Sequence, residues 1–241
     1  HPCPPPTPVQ LTDIKGHWAE KFITGLVGRG MISGFEDGSF RPDAKITRSQ
    51  FAAVIARAFD QPLVQPNPMF TDIPAGFWAT PAIAKAVRMG FITGFPDKTF
   101  RPNQFLTRIQ AIASLISGLA LTGGTPNVLG IYRDRAQIPS YATDAVATAT
   151  LRRMVVNHPQ VNELRPMVDI TRAEVVALIY QALVTTLQAP AIESPFIVRP
   201  DLSIPSFSDI GEHWANGFIR GLSSLGTVNG FAMARFAPTL P

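Results

Sequence analysis

Apolar residues recur along this chain at helical spacing, in stretches divided by turn signals. Trp18, Phe22, Ile23, Leu26 and Val27 fall on one stripe. They predict a helix that starts near His17, with Thr12 or Asp13 as its cap, and stops at Gly30 as a left-handed C-terminal residue. Three further sets follow: Phe51, Val54, Ile55 and Phe59; Ile112, Leu115, Ile116 and Leu119; Val175, Val176, Ile179, Tyr180 and Leu183. These are apolar over more than one stripe, so their helices are expected at the centre, with the preceding helices outside. Each central helix has the same start: Ile46-Thr47-Arg48-Ser49-Gln50, then Leu106-Thr107 with Gln110, then Ile170-Thr171 with Glu174. This is the capping-box pattern, in which the threonine hydroxyl and the residue three positions on satisfy each other's amides. Asp37-Gly38 and Pro96-Asp97 mark tight turns. Arg41-Pro42 is expected to be extended, because a residue before proline is pushed out of helical space.

The pattern repeats. Residues 30–51 read GMISGFEDGSFRPDAKITRSQF, and residues 90–111 read GFITGFPDKTFRPNQFLTRIQA. A third copy is diverged: Tyr132-Arg133-Asp134, Ile138-Pro139-Ser140-Tyr141-Ala142, Val155 to Pro159 in place of the Gly-Phe turn, then Leu164-Arg165-Pro166 and Thr171-Arg172-Ala173-Glu174. A fourth starts at Phe207, carries His213-Trp214-Ala215 and reaches Phe236. The boundaries are a proline-rich leader at 1–10, repeats at 11–60, 70–120 and 131–187, a proline-rich connector at 188–206 and a partial repeat at 207–241. Repeats of this length are stable only together. Four outer segments accompany three central helices, so one outer segment is in excess. A division into units of one central helix plus the outer segment after it makes 11–42 the extra piece. Residues 207–236 are expected to pack back on the bundle.

Composition narrows the function. The chain has 241 residues, 46% of them hydrophobic, enough for a sizeable core. Net charge is +4 without a basic run, which argues against nucleic acid. Cys3 stands alone and excludes an internal disulfide or a thiolate cluster. No apolar run approaches the ~20 residues that span a bilayer, and no stretch reads as a secretion signal, so an exported form would be the mature one. The four histidines lack metal-ligand spacing. The acidic residues fall at turns and caps rather than as the facing pair that glycan hydrolysis uses. No catalytic residue, metal or cofactor is expected.

The order of F-x-D-[IV], HWA, G-[IL]-x-x-G-F, D-G-[ST]-F-R-P and [IL]-T-R-x-[EQ] resembles the S-layer homology repeat, and repeat three resembles its cyanobacterial version. The resemblance implies an all-α fold, a pseudo-threefold spindle with a central three-helix bundle and outer helical lobes. It implies a noncatalytic protein of the cell envelope that is exported and anchored to a peptidoglycan-linked polysaccharide, acidic and often pyruvylated, through grooves between lobes. A larger envelope protein is a possible further partner. The alternative is a structural envelope protein that makes protein–protein contacts without binding glycan. Arg48, Arg108 and Arg172 are the foremost site residues, because the first turn of a helix offers free amides and partial positive charge to an anion. Trp18, Trp78 and Trp214 offer flat faces to a sugar, and Gly34 and Gly94 allow close approach. Asp37, Asp97, Gln50, Gln110 and Glu174 complete the expected carbohydrate site. Arg41, Arg101 and Arg165 are expected to bridge to Asp13 or Asp72 or to cap a helix.

Overall fold

A computed structural model describes residues 11–200. They form six α-helices: α1 (Glu20–Val27), α2 (Arg48–Ala58), α3 (Thr80–Arg88), α4 (Arg108–Gly118), α5 (Thr143–Leu151) and α6 (Arg172–Thr185). Three short 3-10 turns lie between α4 and α5. Among the described residues there is no strand, only isolated bridges. The fold is all-α. Trp214 and the expected docking of 207–236 lie outside the described residues.

The three capping boxes are complete. The hydroxyls of Thr47, Thr107 and Thr171 accept from the amides of Gln50, Gln110 and Glu174, whose side chains accept in return from the threonine amides. The residues just before these caps tie the repeats into a ring. The Ile46 amide donates to the Ile170 carbonyl at 3.1 Å, the Leu106 amide to the Ile46 carbonyl at 3.2 Å, and the Ile170 amide to the Leu106 carbonyl at 2.8 Å. Each repeat thus bonds to both others, and the first closes on the third. Ile46, Leu106 and Ile170 are themselves buried, so these bonds are shielded from competing water.

The outer helices are shared between repeats. α3 packs on α2, α5 on α4, and α1 on α6. The segment 11–42 is therefore no extra piece; it covers the last central helix. Gly25 makes this possible, because a Cβ there would collide with the Tyr180 ring, against which Phe22 also lies edge-on. Phe59 of one repeat stacks on Phe91 of the next at 4.9 Å between centroids. Each such buried side chain contributes roughly 1.5–3 kcal/mol.

Asp13 does not cap α1. Its two carboxylate oxygens accept from the amides of Phe40 and Arg41, and Asp72 and Asp134 do the same for Phe100-Arg101 and Leu164-Arg165. α1 starts at Glu20 with no side-chain cap. The fork also overrides the extended preference of the residue before proline: Arg41, Arg101 and Arg165 have φ of 55°, 58° and 49°. Two charge-assisted bonds outweigh the roughly 1–2 kcal/mol that a left-handed residue costs. Gly30 is left-handed as expected.

Replacing Thr107 with alanine is expected to lower stability by about 0.5–2 kcal/mol. Urea denaturation measures this; an unmoved midpoint would show that the ring bonds alone hold the start of α4.

Candidate functional site

The three arginines that open the central helices do not offer free amides. The Arg48 amide donates to Gln104, that of Arg108 to Val168 and that of Arg172 to Ala44, each at 2.9 Å. The next amide in each helix is taken as well, by Pro102, Pro166 and Pro42. The helix start is used to join repeats, and what remains for a ligand is the side chain.

Each guanidinium crosses to the loop of the following repeat. Arg48 Nε donates to Phe100 O and Nη2 to Thr93 O, both at 2.7 Å. Arg172 Nε donates to Phe40 O at 2.9 Å and Nη2 to Ser33 O at 3.3 Å. Both lie over two aromatic rings: Arg48 at 4.8 and 4.7 Å from Phe95 and Phe100, Arg172 at 4.9 and 4.6 Å from Phe35 and Phe40. Carbonyls and ring faces stabilise the cation without cancelling it. Burial, then the nearby Arg101, lowers the Arg48 pKa to about 10, which leaves it charged at neutral pH.

Arg108 differs. It is 0% exposed and donates to Leu164 O at 2.7 Å, Val156 O at 3.3 Å and Asn157 Oδ1 at 2.5 Å. Its loop has no aromatic residue at these places. Instead the Glu174 carboxylate lies 3.0 Å from Nη1 and also pairs with Arg165 at 2.6 Å. The position of Glu174 is held by Gln110 beside Arg48. A carboxylate thus pairs with the one arginine that lacks ring faces and shares its single charge with Arg165. Above this pair, Trp18 stacks on His158 at 5.1 Å and 7°, and His158 meets Phe196 edge-on at 4.7 Å. Asn157 and Val155 further bond to Phe196 and Val198 of the connector.

Over Arg48 the structure is open. A groove of about 370 Å³ is lined by Arg48, the 90–95 loop with Gly94, Gln110, Ala113 and Ser114 of α4, and Tyr141. Arg48 spends Nε and Nη2 on carbonyls, while Nη1 makes no hydrogen bond among the described residues. Gln110 turns its oxygen to the cap of α4, so its amide nitrogen stays available. Such a groove suits a small polar ring bearing one negative charge.

The other expected residues scatter. Trp78 is 61% exposed and touches only Phe77 among described rings. Asp37 and Asp97 close their own turns through Ser39 and Thr99 and pair with Arg41 and Arg101 at 2.8 and 3.0 Å. The predicted bridges from Arg41 and Arg101 to Asp13 and Asp72 are replaced by these contacts, because the Asp13 and Asp72 oxygens already hold backbone amides. Hydrogen bonds from Ser39 and then Arg41 hold the Asp37 carboxyl well below its usual range. Gly34 and Gly94 admit close neighbours from their own repeat: a Cβ would collide with Leu11 and Phe70 respectively. Gln50 serves the cap of α2. Sequence reasoning missed Tyr141 and Ser114. The signal for Tyr141 was available, since Ser140-Tyr141-Ala142 occupies the place of His17-Trp18-Ala19.

Among the described residues no cluster of ligands could hold a metal ion, and no helix is long and apolar enough to cross a membrane. A model of the S-layer homology domain matches residues 10–52, 70–112 and 206–241, about half of the chain. The third repeat falls outside these matches, although it carries the same capping box and the same ring bond. Similar proteins include the cellulosome-anchoring protein of Acetivibrio thermocellus, 46% identical over 79 residues, 32% of this chain and 18% of that protein. The amylopullulanase of Thermoanaerobacterium thermosulfurigenes is 32% identical over 176 residues, 72% of this chain and 9% of the relative. The surface layer protein of Brevibacillus choshinensis is 32% identical over 117 residues, 47% of this chain and 10% of the relative. The chain spans less than a fifth of each of these relatives.

Arg108→Met is expected to destabilise the fold by about 3–5 kcal/mol, because it strips a buried carboxylate of a partner. Arg48→Met, which leaves no buried carboxylate behind, should cost less; equal losses in calorimetry would contradict the distinction. The His158 pKa is held below 6.5 by burial, then by His17 and Arg165, against opposing pulls from Asp43 and Glu174. As pH falls, the unfolded chain takes up the proton first, so this part of the stability is present above 6.5 and is lost below it. His158→Phe should flatten the fall in Tm between about pH 7 and about pH 5; a slope equal to that of the wild type would locate the dependence elsewhere.

Proposed function

We propose a wall-anchoring function on one premise: this chain belongs to the S-layer homology domain family. Domains of this family are noncatalytic modules that anchor proteins to the cell wall, and the chain is a protein of the cell envelope. The finer reading is that it binds an acidic, peptidoglycan-linked polysaccharide, with a pyruvyl ketal as a fitting source of the carboxylate. The Arg48 groove is the favoured site. The observation that carries this reading is a guanidinium held by carbonyls and ring faces alone, its charge uncancelled, beside an open groove. A carboxylate there would meet Nη1 while the sugar lies along the Gly94 backbone and Gln110. The Arg172 position, also held by carbonyls and rings, is the second site. Arg108 and Glu174 act as structure and not as ligand groups. Trp18 has one face covered by His158.

A second reading, protein–protein contact, is favoured by a different observation. Val64 and Met69, 70% and 89% exposed, line an apolar trough of about 650 Å³ between the 61–70 segment and the end of α4. Sedimentation with purified sacculi, intact or stripped of their linked polymer, separates the two. Binding only to intact sacculi is the expected result; binding to neither would remove the anchoring reading. Within that assay Ala113→Glu, on a half-buried position of α4 that lines the groove, puts a like charge where the ligand carboxylate would sit. It should weaken binding about tenfold or more without changing helix content, whereas Ala113→Lys should not.

A further inference from the structure

We propose that the second repeat is an acceptor for an extended apolar segment of a separate polypeptide. The segment pairs antiparallel along residues 92–94 and lays its side chains in the trough beside Val64 and Met69. The inference rests on the protein–protein reading above, to which it gives a definite partner, and does not need the anchoring reading. The chain itself holds the precedent. In the third repeat the connector runs alongside residues 155–157. The Asn157 amide donates to the Phe196 carbonyl and the Val198 amide to the Val155 carbonyl, both at 2.9 Å, around an antiparallel bridge between Val156 and Ile197. Ile197 and Val198 are buried, so this short strand is part of the core and not draped over it.

The same backbone stands open in the second repeat. Two bonds fix the correspondence. Arg48 donates to Thr93 O as Arg108 does to Val156 O, and Ser117 donates to Gly90 O as Gln181 does to Arg153 O. Ile92 and Gly94 therefore match Val155 and Asn157. Among the described residues, neither the Ile92 carbonyl nor the Gly94 amide makes a hydrogen bond. An unpaired edge of this kind is a template for an added strand. The apolar surroundings are open too. Leu119, at the end of α4, is half-buried, whereas its counterpart Leu183 is fully buried. Met69 is exposed, whereas its counterpart Ile131 is half-buried and borders the same groove as Ile197. The trough so formed includes Gly94 and is lined by no charged residue. An uncharged lining beside a free backbone edge selects an uncharged extended segment over a helix or an ionic partner. The connector, which has this form, is already spent on the third repeat, so the occupant comes from another polypeptide.

The test is a fluorescence-anisotropy titration of the whole chain with a labelled peptide that copies residues 194–199, Ser-Pro-Phe-Ile-Val-Arg. Saturable binding is expected. Val64→Asp or Met69→Asp should weaken it about tenfold or more, because each puts a charge in the trough. Both side chains are exposed, so Tm should not move. Strand pairing is read on the peptide, where no change can unfold the protein. N-methylation of its valine removes the amide that would donate to Ile92 O and should weaken binding about two- to tenfold. N-methylation of its arginine, whose amide faces away from the edge, should not. Equal effects of the two methylations, with Val64→Asp still effective, overturn this inference and leave an apolar protein–protein contact standing. Binding that both Asp variants leave unchanged would place the peptide on the third repeat and overturn it as well. So would no binding at all, whether the trough is empty or held by another part of the chain. Sedimentation velocity should show a monomer; a dimer that Val64→Asp disperses would assign the trough to a second copy instead. The sacculus assay judges anchoring separately from all of these.

Discussion

The structure depends on how the start of each central helix is satisfied. A helix leaves its first amides without intrahelical partners. Here a threonine and a glutamine or glutamate take part of that need, and carbonyls of the next repeat take the rest. The same arginine that opens the helix then reaches past its own repeat to grip that neighbour's loop. Capping and inter-repeat cohesion are one set of bonds. The set is cyclic, so the first repeat is held by the third as firmly as by the second. That closure explains why α1 rests on α6, across most of the described sequence.

Much of this was legible beforehand, for a physical reason. Capping boxes are local, so Thr47, Thr107 and Thr171 declare them within four residues. The doubly apolar character of Val175 to Leu183 announces burial on all sides, and that of Phe51 to Phe59 burial on all but a stripe of Ala53, Ala56 and Arg57. The illegible parts are non-local. Asp13 looks like a helix cap because it stands just before a helix, yet its acceptors are spent on amides at Phe40 and Arg41. Sequence spacing cannot show that two carboxylate oxygens match two consecutive amides across a loop. The left-handed Arg41, Arg101 and Arg165 follow from that match and override their own local preference. The cyclic sharing of outer helices was hidden similarly, since nothing in 11–42 says which central helix it covers.

The candidate site was half legible. Its arginines were visible as a motif, but their equivalence in sequence concealed inequivalence in space. The Arg48 and Arg108 sites each draw an arginine from one repeat, a loop from the next and an aromatic position from the third. Divergence confined to repeat three therefore alters the Arg108 site through its loop and the Arg48 site through Tyr141. A residue such as His158 reads as part of a degraded turn, whereas in the fold it fills a volume over Arg108.

The three interfaces also show how one motif can be satisfied in two ways. A buried guanidinium must recover the hydration it loses. Carbonyls and ring faces do this while leaving a net positive charge, as around Arg48 and Arg172. A carboxylate does it by direct ion pairing, as Glu174 does for Arg108 while it also pairs with Arg165. The choice rests on two positions: the residue three after the capping threonine of the following repeat, and the aromatic residues of its loop. With glutamine and phenylalanine, the interface retains attraction for an anion. With glutamate and no ring, it becomes a lock. Loss of the aromatic residues in repeat three would leave Arg108 under-solvated in the core, and Glu174 is what makes that loss tolerable. The loop of the third repeat and Glu174 thus form one buried structural contact with Arg108, whereas Arg48 and Arg172 are held by loops that carry phenylalanine.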